Sequence, residues 1–357
     1  MLFGYPIEAT EENWVHDSLI AIIRNLHQCA DDGNNCTWPD IIPDDFKDNY
    51  ARRRKGLFPK LEAYLEALNT LTVNEKAEVL ECVDTQNNIP GLLRGECACN
   101  LLEDLPENIR SPLQTIFEYG FDMLAQKQIR DRSYKKIFDQ RREGGGRLEL
   151  VCPFCGDETF AAPGPQSIRE DLDHYLPISK YPFAGANLRN LVPMGHTCNS
   201  KLKLQADPIL VDGNTRKAYD PYSHEGTKIS LKSSRPCEGE RGLPAWEVEF
   251  DPDGEEAETW DAIFKIRERC KANILNPSYG NWMEEFATFY QIALPNNSDA
   301  PADIILGLQK YLELLPNKIS NQNFLRRATF EMLAEKCQNQ DVRTIRHVQN
   351  LIENASS

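Results

Sequence analysis

Between residues 151 and 203 the sequence VCPFCGDETFAAPGPQSIREDLDHYLPISKYPFAGANLRNLVPMGHTCNSKLK places thiols, carboxylates, amides and imidazoles at spacings that suit metal and phosphate chemistry. Cys152 and Cys155 stand two residues apart and are followed by Gly156. Two thiolates on so tight a turn can grip one zinc ion, and a glycine lets the backbone bend until its amides face the sulfurs. A zinc site needs further ligands, for which Cys198 is the third and His196 the fourth.

The stretch Leu172-Asp173-His174-Tyr175-Leu176-Pro177 reads as a short strand. Alternation sends Asp173 and His174 to opposite faces. Asp173 can ligate a hard divalent cation. His174, neutral at pH 7, can take a proton from a water that attacks a phosphodiester. The side-chain amide of Asn190 can bond backbone across a loop and hold the strand that carries such a base. Asn199 falls in the first turn of a polar helix, its amide oxygen open to a metal ion. Lys201 and Lys203 follow on that helix, and Arg141 and Arg142 end a basic stretch before it; all four can reach phosphates. Taken singly, each of these signals has an ordinary structural explanation, such as a pair of buried thiols or a solvated basic face.

In this order and window, however, the residues resemble the HNH, or ββα-metal, endonuclease family, over residues 150 to about 205. The resemblance implies a small core of two strands and a helix around one catalytic Mg²⁺ or Mn²⁺ ion. It implies His174 as the general base, Asn190 as the residue that orients it, and Asp173 and Asn199 as ligands of the catalytic ion. It also implies that Cys152, Cys155 and Cys198 ligate a structural zinc, as in the zinc-stapled branch. That branch usually carries a second Cys-x-x-Cys; this chain has Gly195 where its first cysteine would be, with His196 next to it. The activity implied is phosphodiester hydrolysis, in DNA more than RNA. The long flanking regions resemble those of stand-alone HNH effectors of bacterial anti-phage systems of the Septu type, which implies a protein partner such as an ATPase. An RNA nuclease with the same site and a catalytically inactive zinc-stapled binding module are the alternatives.

Composition bounds these readings. The chain has 357 residues, 41% hydrophobic and 27% charged, so it reads as globular with room for more than one domain. Its formal net charge of −15 speaks against a protein that coats nucleic acid over its whole surface. Residues 1–120 carry 10 basic against 21 acidic side chains, whereas residues 121–205 carry 13 against 10. An acidic body with a locally basic site suits an enzyme that touches nucleic acid in one place. There is no apolar run of membrane-spanning length, and MLFGYPIEATEENW lacks a basic start followed by an apolar stretch. A cytoplasmic location with mostly reduced cysteines is therefore expected.

Around the motif, an α+β organisation is expected. Residues 1–143 read as a mostly helical docking or regulatory region, with the 50–84 helices broken near Gly56 and Pro59. Residues 144–206 read as the nuclease core, 207–255 as a strand-and-loop extension, and 256–357 as a second helical region. Asp220-Pro221-Tyr222 reads as a turn beside the core, and Cys97-Ala-Cys99 has poor metal spacing.

Overall fold

The computed structural model describes residues 1–33, 37–124, 150–160, 172–294 and 300–354. Within these the fold is mixed: helices carry both flanks, and the strands form three two-stranded antiparallel sheets. No described helix is long and apolar enough to cross a membrane. Two compact units emerge. Of the described residues, one gathers 4–33, 37–124 and 172–224; the other gathers 1–3, 150–160, 225–294 and 300–354.

The first unit begins with α1 (Trp14–Asp32), whose Val15, Leu19, Ile22, Ile23 and Leu26 recur at helical spacing and are buried. Then come α2 (Arg54–Leu68), α3 (Val73–Asn87) and α4 (Glu107–Leu124). Thr72 caps α3 through a reciprocal box with Glu75. The expected break near Gly56 and Pro59 is absent, because α2 runs through both residues. Gly56 is there for packing: a Cβ at this position would lie 2.8 Å from the Tyr119 ring of α4.

Two short strands follow, β1 (Leu172–His174) and β2 (Leu191–Pro193), paired so that His174 faces Leu191 and Asp173 faces Val192. A six-residue helix, α5 (Cys198–Lys203), comes next, then the small hairpin of β3 (Leu210–Val211) and β4 (Asn214–Thr215). Two strands alone leave carbonyls unpaired along each edge. On β2 these are taken by hydroxyls, Tyr5 donating to Pro193 O at 2.6 Å and Tyr222 donating to Leu191 O.

In the second unit, β5 (Lys228–Ser230) pairs with β6 (Glu249–Asp251). The helices α6 (Glu255–Phe264), α7 (Asn276–Ala293), α8 (Pro301–Leu314), α9 (Asn323–Gln338) and α10 (Val342–Asn354) complete it. Its core is aromatic, with Phe286, Tyr311 and Phe330 in mutual contact.

Helix α4 is the backstop of β1 and the loop that follows it. Phe117 meets Phe183 edge to face at 5.3 Å, and Phe121 lies against the His174 ring at 4.3 Å. Between them, Gly120 has no side chain to hold α1 and Ala186 away: a Cβ there would sit 2.5 Å from Leu19 and 3.1 Å from Ala186. Gly120→Val should therefore cost about 1–3 kcal/mol by overpacking. The check is the denaturant midpoint of the variant, and an unchanged midpoint contradicts this packing.

Candidate functional site

His174 closes β1, and its imidazole is held by one hydrogen bond, from Nε2–H to the carbonyl of Gly185 at 2.8 Å. A carbonyl only accepts, so this bond fixes the proton on Nε2 and leaves Nδ1 as the basic nitrogen. Nδ1 makes no hydrogen bond among the described residues. Burial pulls the His174 pKa down to about 4, outweighing the Gly185 bond, which pulls the other way; nearby Lys203 lowers it further. At pH 7 the ring is therefore neutral, the form a general base requires.

The Gly185 carbonyl is placed by Asn190, which is wholly buried. Its Oδ1 accepts from Leu176 N at 2.7 Å, and its Nδ2 donates to Leu176 O at 3.0 Å and Ala184 O at 3.2 Å. One amide thus pins the exit of β1 and the residue before Gly185. Other buried side chains clamp the same loop. Gln86 of α3 accepts from Phe183 N at 3.2 Å, and Asn13 accepts from Leu188 N at 2.9 Å. Asp207 accepts from Tyr181 at 2.9 Å and pairs with Lys180 at 3.1 Å. Asp220 pairs with Arg189, so the turn at 220–222 supports this loop through Arg189 as well as sealing β2.

Asp173 forms an ion pair with the ammonium of Lys203 at 3.2 Å. Lys203 is 2% exposed, so it is not the free phosphate contact that its place on a polar helix suggests. Burial pushes the Asp173 carboxyl above the usual range and the Lys203 ammonium below its own, each opposed by the partner's charge. Asn199 precedes Lys203 by four residues on α5, one turn away, and is half-buried. The Asp173 carboxylate thus meets the helix that carries Asn199. Lys201 on the same helix is exposed, and Arg141 and Arg142 lie outside the described residues.

The thiols occupy a separate knuckle. Val151 and Thr159 form a single antiparallel bridge, and Gly156 N and Cys155 N both turn back to Cys152 O, at 2.8 and 3.3 Å. Gly156 adopts φ 68°, a left-handed conformation that favours glycine. Phe154 plugs the knuckle into its unit, stacking on Phe264 and accepting from Trp260 Nε1 at 2.9 Å. Cys152, Cys155 and Glu158 each offer one ligand atom; these atoms lie within 4.8 Å of one another and can hold a metal ion, while Cys198 is buried at the start of α5. His196 is exposed and is not of this group, in which Glu158 stands beside the two thiols. Nothing in the Cys-x-x-Cys spacing marks Glu158; only the folded-back Cys152–Thr159 hairpin does. Elsewhere Cys29 is in a disulfide, while Cys82, Cys97, Cys99, Cys237, Cys270 and Cys337 are thiols.

No family model, curated protein or solved structure matches the chain.

Two outcomes follow from this geometry. Asn190→Ala strands the N–H and the carbonyl of Leu176 in a buried loop, while Ala184 O keeps its bond from Asn187 N, at about 1–3 kcal/mol for each group left unpaired. Its unfolding free energy should fall by about 2–6 kcal/mol, and Asn190→Asp, which turns a buried carboxylate towards carbonyl oxygens, should not restore it, measured by urea titration at neutral pH. The second concerns pH. The folded His174 pKa of about 4 lies below the ordinary value of 6.5. The unfolded chain therefore binds the proton more strongly, and this group's contribution is intact above pH 6.5 and lost as pH falls towards 4. His16 and His27 are lowered to about 4 as well and act the same way. The stability of His174→Phe should accordingly fall less steeply between pH 6.5 and 4 than that of the natural protein.

Proposed function

We propose that this protein is a metal-dependent endonuclease of the HNH type, hydrolysing phosphodiester bonds in DNA with His174 as the general base. The observation that carries the reading is the fixed tautomer of His174: one ring nitrogen is spent on Gly185, and the other is basic and makes no hydrogen bond among the described residues. A water hydrogen-bonded to Nδ1 would give up its proton as it attacks phosphorus. Asn190 does not touch the water; it holds the loop whose carbonyl orients the ring.

The residues present fit two metals. Cys152, Cys155 and Glu158 are suitable donors for a structural zinc, and the two cysteines are buried as such a site requires. Asp173 Oδ2, paired with Lys203, is a hard oxygen donor to which Asn199 would add a second. A Mg²⁺ or Mn²⁺ ion held there would stabilise charge developing on the phosphoryl and leaving oxygens. Lys201 would contact the phosphate backbone, and the acidic body suits a partner-controlled effector that engages its substrate locally.

One observation favours a second reading, a zinc-stapled binding module without catalysis. The carboxylate needed for the catalytic ion is already matched to an internal cation, Lys203. The two readings separate in one experiment, incubation with plasmid DNA and with total RNA in Mg²⁺ or Mn²⁺. Cleavage that stops with EDTA and drops by about 10²–10⁴ in His174→Ala supports the nuclease. Tight binding with no cleavage supports the module, and a His174→Ala protein as fast as the natural one removes the assigned base. Cys152→Ser should lose its zinc, measured by elemental analysis, together with solubility; a full zinc content would remove the thiolate site.

A further inference from the structure

The second unit holds a cleft that plays no part in the chemistry above. It encloses about 470 Å³ between β5, the segment 317–319 and the start of α9, within the size range of pockets for small organic ligands. Its lining is cationic in a chain whose net charge is −15. Lys228 and Lys318 line it, and neither forms an ion pair among the described residues. Arg327 lines it too and is held in place: Nε pairs with Glu331 at 2.9 Å, and Nη1 donates to Leu312 O and Leu315 O at 3.1 and 3.2 Å. These bonds leave Nη2 without a partner among the described residues. The one lining acid, Glu331, is therefore already committed to Arg327, and three cationic side chains have donors to spare. A half-buried aromatic ring, Phe324, and a buried amide, Asn323, complete the wall.

We propose that this cleft is a nucleotide-binding site, with Lys228, Lys318 and Arg327 taking the phosphates and Phe324 the base. Phosphate is the anion that spare ammonium and guanidinium donors match best, and a planar ring beside them selects a ligand that also stacks. A fixed guanidinium loses less entropy on binding than a mobile one.

The cleft also touches the metal knuckle within the same unit. Phe324 lies against Gly156, where a Cβ would be 2.9 Å from its ring, and Gln322 hydrogen-bonds Asp157. A ligand that stacks on Phe324 therefore rests on the loop that carries Cys155 and Glu158. The backbone at the rim is unusual as well: Asn321 and Gln322, immediately before α9, both have positive φ, 58° and 61°. Such conformations persist where surrounding structure holds them.

The test is calorimetric titration of the full chain with each of the four ribonucleoside triphosphates, with adenosine and with inorganic tripolyphosphate. At least one triphosphate should bind, more tightly than either adenosine or tripolyphosphate. Lys228→Glu with Lys318→Glu should weaken it at least about tenfold, a loss of about 1.4 kcal/mol, with unchanged circular dichroism. Phe324→Leu should weaken the nucleotide and leave tripolyphosphate unaffected. His174→Ala should bind as the natural protein does, which separates this cleft from the proposed nuclease site whatever the outcome there. Absence of binding by all four triphosphates at about 1 mM overturns the proposal, as does undiminished binding by the charge-reversed variant. Equal affinity for tripolyphosphate and nucleotide overturns the assignment of Phe324 to the base.

Discussion

The wholly buried amide of Asn190 is the constraint on which the His174 arrangement rests. Its three hydrogen bonds close the loop from Leu176 to Asn190, and that loop presents the carbonyl that sets the His174 tautomer. A side-chain amide suits the task because it both donates and accepts; a carboxylate could satisfy only the N–H. Helix α4 supplies the other face of the same restraint, with aromatic contacts to Phe183 and to the imidazole. The imidazole is thus fixed by a polar clamp on one side and by packing on the other, with one nitrogen left for chemistry.

The Asp173–Lys203 pair shows how a buried carboxylate is kept in a fold. A lone carboxylate in this setting would be protonated or would destabilise the fold, and the neighbouring ammonium offsets that cost. Any cation that binds Asp173 must compete with Lys203 for the same oxygen. Affinity at such a site depends on the charge already present as much as on the donor atoms.

Much of the architecture was legible in the sequence because it rests on periodicity. The apolar spacing of α1, a short strand from Leu172 and the helix after Thr197 were readable from residue type and order, although β1 ends at His174, short of the stretch to Pro177 that reads as strand. That the Asn190 amide could bond backbone across a loop was readable, but its place in the sequence is equally that of an ordinary turn residue, and only the fold shows which backbone groups it holds. What was hidden depends on long-range contact. Lys203 looks like a solvated base on a polar helix, and only the fold brings it against Asp173. Glu158 has no spacing signature, whereas His196 has one and is exposed. The grouping of residues 150–160 with the C-terminal helices was equally invisible, because it rests on contacts far apart in the sequence. Gly56 and Pro59 read as breakers, yet a helix packed against α4 tolerates both.

The two tyrosines along β2 bear on how other proteins can engage this molecule. A two-stranded sheet ordinarily offers its outer edge to an extended peptide, which adds itself as a further strand. Here the outward carbonyls of Leu191 and Pro193 are already acceptors for Tyr222 and Tyr5, both nearly inaccessible to solvent. Strand addition at this edge would require breaking two internal hydrogen bonds and expelling two aromatic rings. A partner is thus steered towards side-chain surfaces, and self-association by edge pairing is closed at the strand that neighbours His174.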